Sequence, residues 1–120
     1  IVLLHIGTND MNQLRQIPQT IKEMEQLIDR IRFHNPFAVI VVAKLIPTTR
    51  QYMPSINQLN QQIPLMVQRK NTVTSPVILA DHFTGYDAKN DNHDGLHPNV
   101  SGSKKMAGVW MNRLVEYLEN

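Results

Sequence analysis

Asp94 and His97 stand with two residues between them in the stretch His93-Asp94-Gly95-Leu96-His97-Pro98-Asn99. Such a pair can close on itself where the intervening chain turns, and Gly95 permits a turn because it has no Cβ. A carboxylate on the imidazole Nδ1–H fixes the tautomer and stabilises the imidazolium. It leaves Nε2 free as a general base toward a hydroxyl nucleophile. Pro98 restrains the backbone just after the ring. The pattern is short, and a polar loop whose Asp and His only satisfy neighbouring backbone groups would read the same.

Asn9 is the second candidate. It follows the apolar run Ile1–Ile6 within Gly7-Thr8-Asn9-Asp10. An Asn at a strand end can offer its side-chain N–H to a developing oxyanion, a contact worth about 3 kcal/mol in the transition state. A turn Asn bonding its own backbone is the plain alternative. Asp10 suits bonding of amides around that turn better than catalysis, with Gly7 supplying the turn. His5 reads as a core histidine or as support for a catalytic group. His93 and His97 are four apart, with Asp91 and Asp94 beside them, a set that could ligate zinc. A helix-borne ligand pair is not expected just before Pro98, so no metal and no other cofactor is expected. The serines are Ser55, Ser75, Ser101 and Ser103. None has a Gly-Asp-Ser or Gly-x-Ser-x-Gly context, and capping of the last helix accounts for Ser101 and Ser103. A nucleophile is therefore unknown within the chain.

These groups need elements to hold them. Ile1–Ile6 is short and nearly all apolar, as suits a strand covered on both faces. Pro18 opens a helix whose Ile17, Ile21, Met24, Leu27, Ile28 and Ile31 share a face, until Asn35-Pro36 stops it. Phe37–Ala43 is the second buried strand. The next helix turns Ile56, Leu59, Ile63, Met66 and Val67 inward, with a kink or break expected at Pro64. Val77–Ala80 is the third strand. Residues 81–98 form a long polar loop, a kind that is uncommon and often functional. In it Phe83, Gly85 and Tyr86 could face a substrate, although loop packing explains Tyr86 as well. The last helix runs from about Ser101 to Leu118, with Met106, Val109, Trp110, Leu114, Tyr117 and Leu118 inward. Strand–helix alternation predicts an α/β layer sandwich with a parallel sheet. Ligands of such sheets bind beyond the carboxyl ends of the strands, where Gly7–Asp10 and the 81–98 loop both fall.

The 120 residues fit one domain, residues 1–120, and 42% of them are apolar, enough for a core. Lys and Arg are scattered around a formal charge of +2, without the clustered stripe of a nucleic-acid binder. No apolar run approaches the ~20 residues that cross a membrane. Neither nucleic acid nor membrane is expected as a partner. The absence of cysteine excludes a disulfide framework and a thiolate zinc site. Asn99-Val100-Ser101 is a glycosylation sequon, but its place beside His97, at a helix start, argues against its use. The chain begins inside an apolar strand, and three strands make a thin parallel sheet; both predict a missing N-terminal segment of the same protein.

Taken together, Ile6-Gly7-Thr8-Asn9-Asp10 after an apolar strand and Asp94-Gly95-Leu96-His97-Pro98-Asn99 before a C-terminal helix resemble two blocks of the SGNH (GDSL-like) hydrolases, in order and separation. The resemblance spans essentially the whole chain. It implies a three-layer α/β/α sandwich of the flavodoxin-like kind with sheet order 2-1-3-4-5, this chain contributing the third to fifth strands. It implies catalytic roles for Asp94 and His97, an oxyanion role for Asn9, and supporting roles for Gly7 and Asp10. The Gly-Asp-Ser block with the nucleophile is absent, as is the block whose glycine supplies an oxyanion N–H. By resemblance, a serine-bearing segment lies upstream, its Gly-Asp-Ser roughly 60–90 residues before Ile1, the size of two β-α units. His5–Asn12, Ile63-Pro64 and Asp94–Asn99 look most like the acetyl-esterase branch (carbohydrate esterase family 3-like). That branch implies a secreted enzyme removing acetyl groups from small-molecule or polysaccharide esters such as xylan. The competing reading is a non-catalytic carbohydrate-binding or interaction domain of the same fold.

Overall fold

The structure, a computed structural model, describes residues 1–120. Three apolar runs become the strands of one parallel sheet, β1 (Val2–Leu4), β2 (Ile40–Lys44) and β3 (Val77–Asp81), in the order β1-β2-β3. Side chains alternate across a strand. The register therefore puts Leu3, Val41 and Ile78 on one face, and Leu4, Val42 and Leu79 on the other. Ile40–Ala43 of the central strand are buried throughout, which is why that strand is continuously apolar rather than alternating.

The Leu4 face is covered by α1 (Thr8–Asn12), α2 (Ile17–His34) and α3 (Met53–Lys70), whose apolar stripes meet the sheet in a single core. Met11, Ile28, Ile56, Leu59, Ile63 and Met66 have no solvent exposure there. Truncation of any of these to alanine costs about 2–5 kcal/mol. Arg32 closes the far end: Nη2 donates to the carbonyls of Lys70 and Ser75, each at 2.6 Å, and Nε donates to Ser75 Oγ at 2.9 Å. Ser75 Oγ in turn donates to the Ala38 carbonyl, so this serine is structural.

The opposite face carries α4 (Val100–Glu119), which packs on β3. Asn99 caps it by accepting the Gly102 N–H at 3.0 Å. Gly102 is the one buried residue of the helix. A Cβ there would stand 2.2 Å from the Asp91 carbonyl oxygen and 2.5 Å from Tyr86 Oη.

Several expectations need correction. Gly7–Asp10 is not a bare turn, since α1 begins at Thr8. The second strand starts at Ile40 rather than Phe37: Asn35 gathers the N–H groups of Phe37 and Ala38 into a turn, leaving Phe37 exposed. Pro64 does not break α3, which continues to Lys70 because buried Ile63, Met66 and Val67 anchor it on both sides. Leu27 is 37% exposed and Leu118 is 70% exposed, so neither faces inward as expected. In α4, Met106, Val109, Trp110, Leu114 and Tyr117 are only half-buried. No neighbouring helix packs beside α4 on its face of the sheet. Ile1 and Leu3, near the unpaired edge of β1, are likewise exposed.

Candidate active site

The loop after β1 is shaped by close packing. Gly7 caps α1 with φ +120° and ψ −15°, and a Cβ there would meet Leu59 Cδ2 at 2.9 Å. This conformation favours glycine, and it turns the chain so that Asn9 sits exposed on the short helix. Asp10 Oδ2 accepts from Thr20 Oγ1 at 3.0 Å and faces the Arg15 guanidinium, so its carboxylate ties the loop to α2 rather than bonding the amides of its own turn as expected. His5 lies lower in the same loop. Its Nε2 accepts the Ile46 N–H at 3.1 Å, and burial pushes its pKa down.

The 91–99 segment is far from irregular. Asn92 and Pro98 form an antiparallel bridge, and His93 N–H donates to the His97 carbonyl at 3.0 Å. Inside this closed turn Asp94 Oδ1 accepts the N–H groups of Leu96 (2.9 Å) and His97 (2.7 Å), while Oδ2 meets His97 Nδ1 at 2.5 Å. The His97 ring contact, and after it the two backbone donors, hold the Asp94 carboxyl far below the usual carboxylate range. Gly95 has φ +80°, the conformation the turn requires. Beneath the loop, Asp91 is held down to about 2 by Lys105 (2.7 Å), Ser101 (2.6 Å) and the Asp87 N–H. Ser101 therefore serves Asp91 rather than capping the helix, and it is no nucleophile. Tyr86 is buried, its Oη against Asn92 Oδ1 at 2.5 Å, and burial pushes its pKa up to about 12; it packs the loop.

These two segments line one cleft of about 380 Å3. Its walls include Gly7, Thr8, Asn9 and Asp10 from one side and Leu96, His97 and Pro98 from the other, with His5, Ile46 and Met106 among them. None of the chain's serines borders it. A larger groove of about 730 Å3 runs between α2 and α3, but its charged side chains, Lys22, Glu25 and Arg69, form no acid–base constellation. His93, Asp94 and His97 bring one possible ligand atom each within 4.8 Å of one another.

Sequence reasoning missed the residues that hold the turn from below. Thr48 Oγ1 donates to the Gly95 carbonyl at 2.7 Å and Thr49 N–H at 2.9 Å, while Arg50 Nη2 reaches the Asp94 carbonyl at 3.2 Å. They follow β2, so the rule that sites form beyond strand carboxyl ends pointed there as well. His82 was also missed. It is buried between His5 and Trp110 with both ring nitrogens unpartnered.

Residues 1–105 match the model of the GDSL-like Lipase/Acylhydrolase family. The fold resembles a carbohydrate esterase family 3 structure from Talaromyces cellulolyticus, with a TM-score of 0.89 and 30% identity over 98% of this chain and 58% of that one. An acetyl esterase mutant with acetate ion is similar by the same measures: TM-score 0.89, 30% identity, 98% of this chain and 58% of that one. A multidomain esterase of Ruminococcus flavefaciens is 29% identical over 128 residues, 99% of this chain and 16% of that protein. The chain thus spans little more than half of the solved structures it resembles. With this family match and this likeness of fold, the chain belongs to the GDSL-like lipase/acylhydrolase family, the SGNH hydrolases, and within it is most like carbohydrate esterase family 3.

Proposed function

We propose that this chain carries the general base, its orienting carboxylate and one oxyanion donor of a serine ester hydrolase, and that a preceding segment of the same protein supplies the serine. The observation that carries the reading is the cleft shared by Asn9 and His97, with Asp94 on the far nitrogen of that imidazole. His97 Nε2 takes the proton of the serine hydroxyl as Oγ attacks the acyl carbonyl. Asp94, its carboxyl held below the usual carboxylate range by the His97 contact, stabilises the imidazolium. Asn9 donates to the oxyanion. His97 then returns the proton to the leaving alcohol, and a water molecule repeats the sequence on the acyl-serine. Likeness to a family 3 carbohydrate esterase and to an acetyl esterase supports acetylated carbohydrate as the substrate.

The test compares aryl acetate hydrolysis by the 120-residue chain with that by a form extended N-terminally through a Gly-Asp-Ser block. The extended form turns over, prefers acetyl to longer acyl groups and releases acetate from acetylated xylan. The short chain does not. Histidine-dependent turnover by the short monomeric chain, lost in His97→Ala, would show a nucleophile within it and overturn the reading. Glycan binding without turnover by the extended form would instead favour a carbohydrate-binding domain.

A further inference from the structure

His93 has no part in the hydrolytic scheme, yet it stands beside the residue on which that scheme turns. The His93 and His97 rings stack at 5.8 Å with 19° between their planes. Their backbones are locked to each other by the His93 N–H to His97 carbonyl bond and by the Asn92–Pro98 bridge. The Asp94 carboxylate lies between them, its Oδ2 at 4.0 Å from His93 Nδ1 and 2.5 Å from His97 Nδ1. Both imidazoles are open to solvent, with side chains 62% and 65% exposed. The remaining carboxylate of the segment, Asp91, is taken by Lys105 and Ser101 and cannot join them.

We propose that His93, Asp94 and His97 form a zinc site whose occupation switches off the catalytic histidine. Two imidazoles and a carboxylate are a zinc donor set, and water completes the tetrahedron. Bonds of about 2.0–2.1 Å place donors of a tetrahedral zinc roughly 3.4 Å apart. The atoms offered here already lie within 4.8 Å of one another, on a backbone held by the Asn92–Pro98 bridge. A zinc ion held by Asp94 and by Nδ1 of His97 enters where the carboxylate now meets that nitrogen. It thereby removes the contact that sets the tautomer and aim of His97. The ion is an inhibitor here, unlike the metal of a metallohydrolase. The loss of turnover rests on the ester hydrolase reading above; the binding does not.

The experiment uses the protein extended through its serine-bearing segment, in wild-type and His93→Ala forms. Zinc chloride is titrated against a chromophoric chelator to measure affinity, and aryl acetate hydrolysis is followed over the same range. One zinc per chain is expected. His93→Ala should weaken binding at least as much as the ~10–100-fold that follows loss of a partner supporting a metal ligand. Wild-type turnover should fall in step with occupancy and return on adding EDTA, while His93→Ala should turn over normally and resist zinc. Equal affinity in the two forms would overturn the site. Turnover abolished by EDTA in metal-free buffer would also overturn it, because the metal would then be catalytic. Binding that weakens in His93→Ala, in a protein with no turnover at all, would keep the site and overturn the hydrolase reading instead.

Discussion

The proposed role of each candidate residue can be tested separately. Asn9 makes no side-chain bond within the fold and belongs to an exposed turn of helix, so Asn9→Ala should leave stability nearly unchanged. In the serine-containing protein it should lower kcat by about 100–1000-fold, as loss of one oxyanion donor does, with KM little altered. A rise in KM alone, or a fall in thermal midpoint, would assign it a different role. Gly95 behaves oppositely. At φ +80° an alanine is strained, and its Cβ would stand 2.0 Å from Thr49 Oγ1. Gly95→Ala should therefore cost about 1–3 kcal/mol from the backbone strain alone and should displace Asp94 from His97. Adding Thr49→Ala should recover only the steric part, as read by denaturant midpoints of the single and double variants. The Asp94–His97 contact and the shared cleft of Asn9 and His97 were legible because each residue belongs to a short contiguous pattern. Thr48 was not, because its bond to Gly95 spans 47 positions, and nothing local to a threonine announces such a contact.

Elements were legible where burial alone decides them. β2 and β3 reveal themselves as apolar runs, and the inward stripe of α3 is buried as its spacing predicts. Helical periodicity identifies the apolar face of α4 but not whether anything lies against it, which is why Leu118 was misplaced. The junction of β3 with α4 holds the clearest dependence on pH. His82 is pulled down to about 4, first by burial and then by the charge of His5. An ordinary histidine titrates near 6.5. As pH falls past that value the unfolded chain takes up a proton at this position, while the folded chain stays neutral until about 4. The stability contributed by His82 is thus fully present above the window and lost as pH descends through it. Urea midpoints at about pH 7 and about pH 4.5 should differ clearly in the native chain and less in His82→Phe. The slope should not vanish, since burial lowers His5 too. An unchanged slope would place the pH sensitivity elsewhere.

At the scale of the whole molecule, the two faces of the sheet are unequal. The α2–α3 face encloses a full core, whereas α4 alone serves the other, and the outer edge of β1 has no strand beside it. Unpaired apolar edges template association. The 120-residue chain alone should self-associate in sedimentation experiments, and Leu3→Lys should suppress this without changing its far-ultraviolet spectrum. A strictly monomeric chain at high concentration would contradict the expectation. The attachment of α4 has a different consequence. Its one buried residue, Gly102, sits where any added carbon meets the Asp91 backbone and Tyr86. In a saturation-mutagenesis survey scored by activity, position 102 would be depleted as severely as position 97. A ranking by intolerance would then place a residue with no chemistry among those proposed as catalytic. Scoring abundance alongside activity would separate them, because alanine at 102 should remove the folded protein and alanine at 97 should spare it.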